Sequence, residues 1–269
     1  MIQEQATSHV AAVYKQLKDE YDENLAKVPF FINCYALFEK LLDRLLNGHR
    51  YDSILDLGCG PGIQTVRLAR HASRVIGVDI SDDLLEVARG RCREYSNVRF
   101  AKEDARALSF GPGTFDAIFS YGDVLSHIVD GYERALAEMS RVARPGALIT
   151  FEVDNKWHPG IFYNPGELIR NLASPGHGHA GRKWNDLHFR TFTYRELRDL
   201  LNKHGMEMME YHGHNMLASL IPDRFVLERK ARTLGGRAAL WLGRIDLDLS
   251  DVYPFNRMGF NTIVVAKKR

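Results

Sequence analysis

The chain has 269 residues, 45% hydrophobic and 26% charged, with 36 basic residues against 34 acidic ones. That is enough for one sizeable core, and a formal charge of +2 is too balanced for electrostatic capture of nucleic acid or an anionic membrane. Three cysteines (Cys34, Cys59, Cys92) form no C-x-x-C pair, no run approaches the roughly 18–20 apolar residues of a membrane span, and the N-terminus lacks the apolar core of a secretory signal, so a cytoplasmic protein without structural zinc is expected.

Two helices are predicted first, from about Ser8 to Lys27 and from about Asn33 to Asn47, the second with Leu37, Leu41, Leu42 and Leu45 on one face. Short apolar runs then alternate with helical patterns. Strands are predicted at Ser53–Leu57, Arg74–Asp79, Val98–Lys102, Phe115–Ser120 and Ala147–Val153. Ser81-Asp82-Asp83 starts one intervening helix with a cap and two acids at its positive end. Such alternation predicts an α/β fold, a mainly parallel sheet with helices on both faces.

Residues 155–187 read differently, with Ser174-Pro-Gly-His-Gly-His-Ala-Gly181 at their centre, and are expected to be a mobile loop or lid. Thr193-Tyr-Arg-Glu196 reads as a capping box for a helix ended by Gly205. Met206–His212 and Asn261–Ala266 read as strands that flank a helical insertion over 215–258. The expected organisation is one domain over 1–269: a helical cap (1–48), a cofactor-binding core (49–154), the loop, and a C-terminal part (188–269) holding the insertion.

The chemistry is concentrated in Ile54-Leu-Asp-Leu-Gly-Cys-Gly-Pro-Gly62. Glycines at 58, 60 and 62 allow positive φ and let a ligand touch the backbone, just before a helix N-terminus with free N–H groups. A dinucleotide fingerprint needs a glycine at position 63, where this chain has Ile, and no Gly-Lys-Ser/Thr follows for a P-loop. Asp79, about 20 residues beyond the first glycine, can accept from two ribose hydroxyls. Asp104, after the third strand, can accept from an adenine amino group, with Glu103 as the neighbouring alternative. These strand ends match an adenosyl ligand lacking phosphates.

Those pieces, followed by VIGVDIS, FAKEDARAL, FDAIFSYGDVLSHI and RVARPGALITFEV, make residues 54–153 resemble the class I S-adenosylmethionine-dependent methyltransferases, in the small-molecule branch of the ubiquinone and menaquinone biosynthesis type. The later FTYRELRDLLNKHGMEMMEYHG is similar to that family's sixth-strand region. The resemblance implies a Rossmann-like seven-stranded sheet with an antiparallel last strand. It implies S-adenosylmethionine as cofactor: its methionine part near Asp56, Gly58, Gly60 and Gly62, ribose on Asp79, adenine near Ile80, Asp104 and Ala105, and the reactive methyl near Tyr121 and Gly122. The implied acceptor is a small molecule, taken by a monomer or homodimer.

His127, after the fourth strand, is the candidate general base, since imidazole titrates near neutrality. Tyr21 of the N-terminal region is a candidate pocket residue, and Trp157, Tyr163 and Trp184 of the long loop could enclose an acceptor. His177-x-His179 and His212-x-His214 lack the supporting acids or cysteines of a metal site, and no metal is expected. Ser120-Tyr-Gly-Asp123 is not the motif of enzymes that methylate nucleic-acid bases, and Gly-Asp-Val-Leu-Ser-His faintly resembles glycine N-methyltransferase-like enzymes. A non-catalytic adenosyl-binding protein, a methyltransferase acting on a macromolecule and a nicotinamide-dependent oxidoreductase are the rival readings, the last opposed by the glycine spacing.

Overall fold

The computed structural model describes residues 21–184 and 187–269, except the side chains of 21 and 181–184. Helix α1 (Tyr21–Lys27) leads into α2 (Pro29–Leu46), which starts earlier than its apolar spacing suggests because Pro29 suits a first helical turn. Then come β1 (Tyr51–Leu57), α3 (Ile63–Leu68), β2 (Ala72–Asp79), α4 (Asp82–Arg91), β3 (Val98–Lys102), β4 (Phe115–Ser120), the single turn α5 (Val124–His127), α6 (Tyr132–Val142) and β5 (Ala143–Asp154). The Ser81 hydroxyl caps α4 by accepting from Leu84 N–H.

The described residues form a seven-stranded sheet in the order β3-β2-β1-β4-β5-β9-β8, with β8 at Met206–His214 and β9 at Asn261–Lys268. Strands β1 to β5 run parallel, and β9 is antiparallel to both neighbours. Ser53 to Leu57 are all buried, as a central strand covered on both faces requires. One core layer joins Leu55, Phe115, Ile118 and Phe151 to α6 and to α8 (Tyr194–Lys203). The other joins Ile54, Val75 and Phe119 to Leu37, Phe38, Leu41 and Leu42 of α2. Strand order reverses between β1 and β4, which opens a crevice at their carboxyl ends.

The 155–187 region differs from the expected loop. It contains a 3-10 turn at Pro159–Tyr163, helix α7 (Pro165–Ala173), and a hairpin of β6 (Ala180–Trp184) with β7 (Leu187–Arg190). Asn164 caps α7, with Pro165 at its first position. The Gly/His-rich stretch is tied down by Lys156, a buried ammonium that donates to the carbonyls of Ser174 and His177. His179 Nε2 lies 2.7 Å from Asn171 Oδ1, and Thr193 Oγ1 donates to the Gly176 carbonyl. The Thr193–Glu196 capping box is formed at the start of α8. Between β8 and β9 lie α9 (Asp223–Val226), α10 (Leu234–Leu249) and two 3-10 turns. No helix among the described residues is long and apolar enough to cross a membrane.

Candidate active site

The three glycines after β1 have separate duties. All have positive φ. A Cβ on Gly58 would lie 2.2 Å from Val124 Cγ2, so this glycine admits the turn after β4. A Cβ on Gly62 would lie 3.1 Å from Cα and Cβ of Ala88, so Gly62 packs the start of α3 on α4. Gly60 alone meets nothing within 4 Å, which leaves its face open to a ligand. At Gly58 and Gly62 neighbouring side chains fill the space that a Cβ would take, so these two glycines serve close packing of the loop.

The Asp79 carboxylate holds this loop. Oδ2 accepts from Gly60 N–H and Oδ1 from Ser81 N–H, both at 2.9 Å. Burial raises its pKa, while the N–H groups of Ser81, Gly60 and Ile80 work against that rise. Asp56 lies beneath the loop, 3% exposed, and accepts from the Thr65 hydroxyl at 2.5 Å. Burial pushes it up to about 7, against the Thr65 bond and with help from the Asp79 charge. Asp104 is held by Arg106, which donates through Nε to Oδ1 at 2.9 Å and through a terminal nitrogen to Oδ2 at 2.6 Å. Burial opposes that pair, but the arginine still leaves the Asp104 pKa lowered. Glu103 accepts from the backbone N–H and the hydroxyl of Ser109.

A cavity of about 550 Å³ opens beside the glycine loop. One end is made by Gly58, Cys59, Gly60, Tyr121 and Gly122. Phe30, Phe31, Cys34, Tyr35 and Phe38 of α2 form a wall, and Phe189, Phe260, Tyr163 and Leu227 close in from later elements. The Phe38 and Tyr121 rings stack at 4.6 Å, and the Tyr121 hydroxyl lies 3.3 Å from Thr150 Oγ1. His127 lines the cavity against Phe189, 4.4 Å between ring centroids. Burial lowers its pKa to about 4, so it is neutral at ordinary pH.

Asp56, Gly62, Asp79, Ile80, Asp104 and Ala105 lie outside the lining of this cavity, in or next to the carboxyl ends of β1, β2 and β3. Tyr21 opens α1, and its side chain falls outside the described part, as does that of Trp184. Trp157 is likewise not on the cavity wall; its Nε1 donates to the Pro175 carbonyl at 3.4 Å. His212 Nε2 pairs with Glu210 at 2.7 Å.

Sequence spacing did not reveal the acids of the cavity. Glu152 ends up there through β5, with Oε2 accepting from Gly122 N–H at 2.8 Å and Oε1 2.8 Å from His214 Nε2. Cys34, Glu152 and His214 bring one donor atom each within 4.8 Å of one another. Burial foremost, then the Glu152 charge, raises the Cys34 thiol well above its ordinary pKa, and Asn215 Nδ2 sits 3.3 Å from its sulfur. A stretch reading FEVD carries no mark that its acids will meet a cavity; only the pairing of β5 with β9 brings them there.

A sheet whose strand order reverses at a glycine loop, with an acid ending the second strand, is the arrangement of nucleotide-binding α/β domains. Residues 54–146 match the family model described as "Methyltransferase domain". A demethylmenaquinone methyltransferase of Lactococcus lactis is 29% identical over 226 residues, 78% of this chain and 87% of that protein. A ubiquinone biosynthesis O-methyltransferase of Methylococcus capsulatus is 36% identical over 104 residues, 38% of this chain and 43% of that one. Among solved structures, the [4+2]-cyclase SpnF shares the fold with a TM-score of 0.59 at 23% identity, over 86% of this chain and 80% of that one. A 1,6-didemethyltoxoflavin-N1-methyltransferase of Burkholderia thailandensis, solved with S-adenosylhomocysteine, shares it at 0.57 and 18%, over 97% and 89%. The chain is similar to S-adenosylmethionine-dependent methyltransferases, through the domain match over residues 54–146 and through the relatives just named.

Proposed function

We propose that this protein moves the methyl group of S-adenosylmethionine onto a small-molecule acceptor held in the aromatic-walled cavity, acting as a monomer or homodimer. The observation that carries the reading is the junction of that cavity with the glycine loop at Gly58–Gly60 and the Tyr121–Gly122 bend. The bound cofactor supplies a methyl on a positively charged sulfur. Asp79 holds the ribose hydroxyls with the carboxylate that also fixes Gly60. Gly58 and Gly60 hold the methionine part, with Asp56 and Gly62 shaping their loop from behind. Ile80 and Ala105 flank the adenine, and Asp104 keeps acceptor capacity for its amino group beside the Arg106 pair. Tyr121 and Gly122 border the methyl.

Methyl transfer needs acceptor, carbon and sulfur in line, and such positioning is worth about 7–11 kcal/mol in favourable cases. The stacked Phe38 and Tyr121 rings supply a rigid wall for it. His127, neutral and weakly basic, orients the acceptor through a hydrogen bond and is not a proton store. Tyr21 is proposed as a residue of the cap over the acceptor.

Methyl-labelled S-adenosylmethionine, incubated with the protein and a protein-depleted metabolite extract, tests the reading. Label in a small organic or aqueous product is the expected result. S-adenosylhomocysteine binding without label transfer, across several extracts, would turn the assignment to a macromolecular acceptor or a non-catalytic adenosyl-binding role.

A further inference from the structure

A row of buried polar groups at the sheet end is left over when the cofactor contacts are assigned. Asp154 of β5, Asn261 of β9 and His214 of β8 stand opposite one another across three strands. Glu152 lies two residues before Asp154, on the same face of β5. Glu152, Asp154, Asn261 and Asp123 all line the cavity. Asn261 is 1% exposed and donates through Nδ2 to Asp123 Oδ2 at 2.8 Å. That bond sets the direction of the amide and leaves Asn261 Oδ1 buried with no donor among the described residues. A buried acceptor is costly until a donor reaches it, so this atom asks for an N–H or O–H from a ligand.

The surroundings narrow the choice. Glu152 presents a buried carboxylate whose described partners are a backbone N–H and an imidazole. The rings of Phe30, Phe38, Tyr121 and Phe260 line the same space. Carboxylates, an unfilled amide oxygen and aromatic rings together suit a compact cation with several N–H donors. A neutral phenol or quinol brings one donor per hydroxyl and no charge. The ammonium of the cofactor is assigned to the Gly58–Gly60 end and does not account for Asn261.

We propose that the acceptor is an amine, bound as its ammonium ion between Glu152 and Asn261 and methylated on nitrogen; this rests on the methyltransferase reading above. The ammonium gives one proton to the Glu152 carboxylate, which passes it to water. The freed nitrogen lone pair forms the new N–C bond, the C–S bond breaks, and its electron pair stays on sulfur as a neutral thioether. The product leaves as a methylated ammonium ion.

The test uses the full chain with labelled S-adenosylmethionine and 2-phenylethylamine or tryptamine, against 2-phenylethanol, tryptophol and hydroquinone. Label on the amine nitrogen, and little on the uncharged compounds, is expected. Glu152→Gln and Asn261→Leu should each lower kcat/KM for the amine about tenfold or more, with S-adenosylhomocysteine affinity kept as the check on folding and cofactor binding. Transfer to the uncharged compounds in preference, no transfer to either amine by protein that binds S-adenosylhomocysteine, or amine turnover untouched in both variants overturns the proposal. Failure of the unaltered protein to bind S-adenosylhomocysteine would instead remove the methyltransferase reading beneath it.

Discussion

Asp79 shapes the loop through Gly60 and Ser81, and in the proposed function the same carboxylate receives the ribose hydroxyls. Asp79→Asn keeps the size but turns an amide N–H₂ toward one of two backbone donors, Gly60 or Ser81. We expect S-adenosylhomocysteine to bind about tenfold or more weakly by calorimetry, the scale of losing a hydrogen bond to a charged group; unchanged affinity would remove the ribose assignment. His127 makes a pH prediction. Burial puts its folded pKa at about 4, below the unfolded value near 6.5. Its contribution to stability is complete above about pH 6.5 and is lost as pH falls toward 4. Urea denaturation between pH 7.5 and 4 should show His127→Asn losing less stability on acidification than the parent. Equal slopes would mean that the ring is solvated. Asp79 could be picked out from sequence because it ends a strand at a fixed distance from the glycines. The Arg106 clasp on Asp104 could not, since two residues of spacing do not say which way a side chain turns.

At the scale of elements, the glycine loop packs tightly at Gly58 and Gly62 and stays open at Gly60. Gly62→Ala would force a methyl to within 3.1 Å of Ala88 at a φ of +81°. The cost should be about 1–3 kcal/mol by chemical denaturation, from strain and overpacking combined. A loss below about 0.5 kcal/mol, the range of a neutral surface change, would show that α3 and α4 can separate freely. The strands and helices of residues 51–154 were legible because apolar runs and caps mark them locally. The segment around Ser174–Gly181 was not, because glycine and proline density reads as a loop whatever ties it down. Its order depends on Lys156 and Asn171, whose roles are set by tertiary contact.

Over the whole molecule, the sheet end proposed for the cofactor and the walls proposed for the acceptor come from different parts of the chain. Helix α2 gives five residues to the cavity wall, and α10 presses on α2 from behind. Their joint is Gly243, where a Cβ would fall 2.2 Å from Cγ and Oδ1 of Asn33. Asn33 in turn donates to Asn215 Oδ1 at 3.0 Å and to the Ala239 carbonyl at 3.3 Å. Gly243→Ala should therefore act as a wedge, costing about 1–3 kcal/mol of stability as overpacked cores do, and shift the wall carrying Phe30, Cys34 and Phe38. The glycine loop follows β1 and Asp79 ends β2, and neither is part of that joint. The expected outcome is a raised KM for the acceptor with S-adenosylhomocysteine affinity little changed, measured on one preparation by turnover and calorimetry. An equal loss on both axes would mean that α2 belongs to the cofactor site as much as to the acceptor wall, and that the two halves of the site do not vary independently.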